Sequence, residues 1–260
     1  MNDQQIVNQY KSPVNLNTRS AFWEKYRTAN MKPWHRWVFD NIMEFNPVDM
    51  VEIGCGTGEL WKQNTSKIGN DRTILLSDRS EGMIKESLKG LSSFKNFKFE
   101  VFDASSIPHE SMKYDCAIAN HMLYHVPDIP VALGEIKRVL KPGGLFFAAT
   151  NSRNHRRELI DILETGTSGK YENIGLSFDD VSGRKYLEKG FDIIDVRLYS
   201  DIVNVPDMDD FKNYIFSLPS VQNLGADEQE YLETHIEKVY DEKKSLKITF
   251  DSILFICRKM

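Results

Sequence analysis

The stretch VEIGCGTGEL, residues 51–60, decides the fold. An apolar run ending at Ile53 meets Gly54, Gly56 and Gly58 and then helix-forming residues, so a buried strand must turn sharply into a helix. Glycines there let the backbone turn and let a ligand approach without Cβ obstruction. Their spacing separates ligand classes. A G-x-G-x-x-G dinucleotide loop would place its third glycine at position 59, but Glu59 stands there, and an acidic side chain at a helix start repels a pyrophosphate. A ligand with no phosphate at this turn fits better. The next apolar run ends in LLSDRS, and Asp78 follows Gly58 by 20 residues, about the interval at which a carboxylate reaches a ribose diol in such folds. Loop and aspartate together point to a nucleoside.

Outward from this turn, short apolar runs alternate with helix-like stretches: DMVEIG, ELWKQNTSKIG, RTILLSD, SEGMIKESLKGL, FKFEVFD and YDCAIAN. A helix that Asp128 can cap and Pro130 can start follows, then the stop signal KPGG and the strand LFFAAT. Strands this uniformly apolar are covered by helices on both faces, as in a parallel sheet. After Thr150 the rhythm loosens. Helices are predicted near 154–164 and 178–189 around a Gly/Thr/Ser-containing loop at 165–175, then the long strand FDIIDVRLYSDIVNV. The helices DMDDFKNYIFSL and ADEQEYLETHIEKVYDEKK precede LKITFDSILFICRKM, a closing strand or strand pair. The predicted fold class is α/β, a doubly wound, Rossmann-like sheet with its ligand cleft outside the carboxyl ends of the central strands.

Composition narrows the function. The chain has 260 residues, 41% hydrophobic and 27% charged, which suits a folded α/β domain rather than a disordered or membrane-embedded protein. Lys and Arg total 33 against 38 Asp and Glu, a formal charge of -5, and no stretch gathers a phosphate-tracking basic face. No nucleic acid partner is expected. Cys55, Cys116 and Cys257 are far apart and odd in number, which suits a reducing compartment. The amino terminus lacks a signal-peptide pattern, and no apolar run reaches the ~18 residues of a bilayer span, so a cytoplasmic location and no membrane association are expected.

Four segments jointly resemble the class I S-adenosylmethionine-dependent methyltransferases, strongly over residues 48 to 150 and weakly to the carboxyl end. VEIGCGTG is similar to the family's first motif, SDRSEGM to its ribose-binding second and VFDASSIP to its adenine-contacting third. DCAIANHMLYHVPD with RVLKPGGLFFAAT resembles its fourth strand, helix, turn and fifth strand. The resemblance implies a seven-stranded, mostly parallel sheet with an antiparallel last strand. It also implies S-adenosyl-L-methionine as cofactor, S-adenosyl-L-homocysteine as product, and methyl transfer to an O, N or C nucleophile of a small-molecule acceptor. Residues 1–46 then form an N-terminal helical lid or cap. Residues 47–260 form the methyltransferase domain, with helical insertions in 151–190 and 206–245.

Carried over residue by residue, the resemblance implies that Glu52 and the backbone of Gly54, Cys55, Gly56 and Gly58 hold the methionine portion. Asp78, with Arg79 beside it, takes the ribose hydroxyls, Met83 packs on adenine, and Asp103 and Ala104 hold the adenine amino group and ring. The main chain at Asn120 contacts the amino acid end, and Tyr10 and Arg19 are candidates for a closing lid. Each has a plainer explanation: Asp78 and Asp103 can cap helices, Glu52 can be a buried structural acid, and Cys55 simply fits between glycines. His121 and His125 are spaced i, i+4, but no further ligand cluster accompanies them, so no metal is expected. One of them, His125 in preference to His121, suits a general base near the methyl donor, and wall packing is the alternative. The aromatic cluster of residues 22–39 is core or pocket lining. Competing functions are a protein or RNA methyltransferase, a non-catalytic cofactor-binding regulator and, more distantly, a dinucleotide oxidoreductase.

Overall fold

A computed structural model of the chain describes residues 22, 25–26, 32–171 and 176–260. They separate into two compact units. The larger contains Lys32–Arg153, 176–199 and Ser252–Met260; the smaller contains 22, 25–26, 154–171 and Ser200–Asp251.

In the larger unit helix α1 (Trp34–Met43) precedes β1 (Asp49–Ile53), α2 (Glu59–Lys62), β2 (Thr73–Asp78), α3 (Glu81–Leu91) and β3 (Phe97–Val101). Next come β4 (Tyr114–Asn120), α4 (Ile129–Val139) and β5 (Leu140–Asn151). After α5 (Arg157–Gly166) in the smaller unit, the larger adds α6 (Asp180–Leu187). Strands β6 (Phe191–Val205) and β7 (Leu246–Lys259) contribute residues to both units. The seven strands lie in the order β3-β2-β1-β4-β5-β7-β6. β1 runs parallel to β2 and β4, with Met50 opposite Cys116, and β7 runs antiparallel to β5, with Ile256 opposite Phe147. The chain winds outward from β1 to β3, then returns to β4 on the other side of β1. β1 and β4 therefore flank the point where the strand order reverses, and sheets of this kind bind their ligands outside the carboxyl ends of the strands there.

Alternate residues of the central strands enter two cores. Val51, Ile53, Ala117 and Phe146 join Ile136 of α4, while Met50, Cys116, Ile118 and Phe147 join Phe39 of α1 and Ile84 of α3. Each large side chain so buried contributes roughly 1.5–3 kcal/mol. Helix α1, grouped by the sequence reading with an N-terminal cap, buries Val38, Phe39 and Ile42 in the second core.

Asp128 caps α4 as the sequence indicates, accepting from Val131 N at 3.1 Å with Pro130 in the first turn, whereas α3 is capped by Ser80, which accepts from Met83 N at 3.4 Å. Two elements differ from expectation. Helix α2 ends at Lys62 rather than spanning ELWKQNTSKIG, and the Asn64 side chain donates to Leu60 O at 2.7 Å and His35 O at 3.2 Å. Strand β5 begins at Leu140, ahead of KPGG; a register shift between Tyr114 and Cys116 takes up the extra residues, with Gly143 at φ 73°. The carboxyl segment is one closing strand, β7, the first of the two alternatives that its sequence offers.

In the smaller unit α5 packs with α7 (Met208–Phe216), α8 (Pro219–Gln222) and α9 (Ala226–Lys243) through Leu159, Leu163, Phe211, Tyr214, Leu232 and Ile236. Tyr240 donates its hydroxyl to Val205 O at 3.1 Å, and Glu158 accepts from the backbone N and Oγ1 of Thr249 at 2.9 and 2.7 Å. Among the described residues no helix is long and apolar enough to cross a membrane.

Candidate functional site

The loop after β1 is held by its own backbone and by β2. Cys55 N donates to Ser77 O at 2.9 Å, and Gly58 N donates to Cys55 O at 3.0 Å. Gly54, Gly56 and Gly58 have φ of 67°, 55° and 81°, a region that disfavours side-chain-bearing residues. The three glycines nevertheless answer different demands. A Cβ on Gly54 would lie 2.7 Å from Met122 Cβ, and one on Gly58 would lie 3.1 Å from Leu91 Cδ1. A Cβ on Gly56 would meet nothing within 4 Å. Gly54 and Gly58 thus permit close packing, while Gly56 presents bare backbone to open space.

Asp78 ends β2 and ties this loop to the next. Its Oδ2 accepts from Gly56 N at 3.0 Å and its Oδ1 from Ser80 N at 2.8 Å. Each carboxylate oxygen keeps acceptor capacity beyond these bonds. Arg79 beside it is exposed, and Met83 on the first turn of α3 is half-buried.

Glu52 lies on β1 two residues before the loop and is 2% exposed, with Oε2 accepting from Trp61 Nε1 at 2.6 Å. Burial pushes its pKa up to about 8; the Trp61 hydrogen bond opposes that rise and the charge of Asp78 adds to it. The carboxyl faces Trp61 of α2, a partner that the strand-and-loop motif does not reveal. Cys55 is buried, and burial above all pushes its thiol far up, so it stays protonated and unreactive at neutral pH. All three cysteines are free and buried.

The loop after β3 places Asp103 at the surface, its Oδ1 accepting from Ser105 N at 2.8 Å, with Ala104 buried beside it. At the end of β4, Asn120 accepts at Oδ1 from Trp34 Nε1 at 3.2 Å. His121 takes φ 55° while donating its N–H to Ala149 O at 3.1 Å. Its ring lies 4.8 Å from Trp34, and Trp34 in turn meets Tyr199 at 5.2 Å. His125 closes a 3-10 turn, Leu123–His125, with its ring 4.5 Å from Tyr124. Burial first, and the charge of Arg79 second, hold its pKa below the ordinary imidazole value.

The glycine loop, Asp78 and the residues after Asn120 thus lie at the carboxyl ends of β1, β2 and β4, with Asp103 one strand beyond Asp78. Trp34 belongs to the aromatic cluster that the sequence exposes; Tyr199 lies in a long strand with no distinguishing signal. Tyr10 and Arg19 lie outside the described residues. Among the described residues no group of three His, Cys, Asp or Glu is placed to hold a metal ion.

Residues 51–148 match the methyltransferase domain family. With the strand order and the loop after β1, this match makes the segment a methyltransferase domain. The demethylmenaquinone methyltransferase of Staphylococcus aureus strain MRSA252 is 32% identical over 123 residues, which cover 47% of this chain and 51% of that protein. The chain thus spans about half the length of the curated relatives it matches. Among solved structures, the YcgJ protein of Bacillus subtilis is similar with a TM-score of 0.56 at 14% identity, over 86% of this chain and 99% of that one. The [4+2]-cyclase SpnF is similar with a TM-score of 0.54 at 18% identity, over 90% of this chain and 85% of that one. At such identities the likeness is one of fold.

Proposed function

We propose that the chain transfers a methyl group from S-adenosylmethionine to an O, N or C nucleophile of a small-molecule acceptor. The observation that carries this reading is the loop after β1: bare backbone at Gly56 facing open space, with Asp78 bonded to that same backbone. Asp103 at the end of the neighbouring strand completes a set suited to a sugar and a base. Glu59 at the start of α2 favours a ligand without a diphosphate there. The acidic balance of the chain and the small-molecule reaction in the name of the S. aureus relative support a small acceptor. Since a cyclase shares this fold, the reading rests on the site and the domain match.

The donor, when bound, supplies a methyl carbon made electrophilic by a sulfonium. The protein's part is to hold the reactants in line and exclude water, and such positioning supplies up to about 7 to 11 kcal/mol in favourable cases. In this reading Asp78 holds the ribose, Asp103 and Ala104 the adenine, and the Gly54 to Gly58 backbone the amino acid end. Glu52 acts through Trp61, fixing the start of α2. His125, kept neutral at pH 7 by its lowered pKa, accepts the acceptor's proton at a ring nitrogen.

Calorimetric titration with S-adenosylhomocysteine is expected to give saturable heat; a folded, ligand-free sample that gives none defeats the reading. For the base, screening O, N and C nucleophiles identifies an acceptor that turns over. On it, His125→Gln is expected to lower kcat by about 10²- to 10⁴-fold while donor affinity holds. In the native enzyme the rate should rise with pH and level off by pH 7. An unchanged kcat in the variant removes His125 from the chemistry.

A further inference from the structure

We infer that Glu135 and Arg138 of α4 act as positioning residues for the adenine subsite, gripping the loop that carries Asp103 and Ala104. This rests on the proposed function for the identity of the subsite. The loop from Asp103 to His109 has little backbone bonding of its own: Ser106 N donates to Asp103 O at 3.0 Å and His109 N to Ile107 O at 2.8 Å. Pro108 brings no N–H and biases Ile107 away from helix. The far end must be held from elsewhere.

Helix α4 holds it with one ion pair. Glu135 and Arg138 meet as two parallel bonds, Nε to Oε1 and Nη2 to Oε2, each 2.7 Å. The pair then reaches outward. Glu135 Oε2 accepts from Ile107 N at 2.9 Å, while Arg138 donates to Ile107 O at 2.9 Å and to His109 O at 2.6 Å. Both polar groups of Ile107 are thereby fixed, and its side chain, 3% exposed, is pinned in the core. Only a single turn separates Ile107 from Asp103, so movement at one is passed to the other. Each partner's pKa is displaced toward its charged form, Glu135 down and Arg138 up, with their mutual hydrogen bond as the largest cause. Neither residue touches the glycine loop in any described contact; their effect on the ligand runs through the loop that carries Asp103.

A purely structural pair would affect stability without changing which base the site prefers. The test therefore compares S-adenosylhomocysteine with S-inosylhomocysteine, in which a carbonyl replaces the adenine amino group that Asp103 is proposed to accept. Both affinities are measured by calorimetry on the full chain for the native protein, Glu135→Gln and Arg138→Lys; the lysine variant keeps the charge but cannot fork to two carbonyls. The native protein is expected to prefer the adenosyl ligand, and each folded variant to lose that preference by on the order of tenfold, the scale of one misplaced charge-assisted hydrogen bond. Folded variants that weaken both ligands equally, or neither, overturn the inference and leave the proposed function standing. Absence of saturable binding in the native protein overturns the proposed function itself.

Discussion

Glu52→Gln is expected to be more stable than the native protein at pH 8, by about 3–5 kcal/mol if the glutamine keeps the Trp61 hydrogen bond. The reason is desolvation. In the folded protein the Glu52 carboxyl is pushed from its ordinary 4.5 up to about 8, so between these values it holds a proton that the unfolded chain has released. Where the folded state binds the extra proton, raising the pH favours unfolding, at about 1.4 kcal/mol per pH unit. This group's contribution to stability is therefore fully present below pH 4.5 and lost progressively as pH rises toward 8. Glutamine does not titrate, so the variant lacks that slope, and the two proteins should converge near pH 5. Chemical unfolding of both at pH 5 and pH 8 reads the difference directly. Parallel stabilities would mean that Glu52 is ionised inside the fold, and the carboxyl would then have to be treated as a charged group available to a cationic ligand.

The second large effect is on binding. Asp78→Ala is expected to weaken S-adenosylhomocysteine by about 10²-fold or more, since two hydrogen bonds to a charged acceptor contribute roughly 1.5–3 kcal/mol each. The substitution also removes acceptors from Gly56 N and Ser80 N, and a control must separate loop disorder from lost ribose contact. A 2′-deoxyribose analogue provides it. If Asp78 holds the diol, the native protein discriminates against the deoxy ligand and Asp78→Ala does so far less. Equal discrimination in both proteins removes Asp78 from the ribose, even if the variant binds more weakly through a loosened loop.

The parts of this protein that were legible in advance are those with short-range causes. Apolar runs bounded by turn residues placed β1 to β4 to within a residue or two, and Asp128 caps the helix that follows it. The glycine loop and Asp78 were visible because a strand, a tight turn and a carboxylate at fixed spacing leave a pattern in one segment. Helix α2 was overextended because the side chain of Asn64 satisfies the Leu60 carbonyl, a competition that apolar spacing does not register. Strand β5 was begun late because KPGG reads locally as a stop, whereas the strand absorbs it through a register shift opposite Tyr114.

Sequence alone determined the succession of buried strands and helices, the sharp turn at Gly54 to Gly58 and the absence of a third glycine at position 59, because each depends on residues adjacent in the chain. Tertiary structure decided what those residues face. Of the three loop glycines only Gly56 borders open space, because Met122 and Leu91 come from distant segments to fill the others' surroundings. Glu52 meets Trp61, Asn120 meets Trp34, and Ile107 meets both Glu135 and Arg138 through contacts that exist only once the sheet has formed. A carboxyl's pKa and a loop's position are set by such neighbours: desolvation and hydrogen bonding act over a few ångströms of space, whatever the separation along the chain.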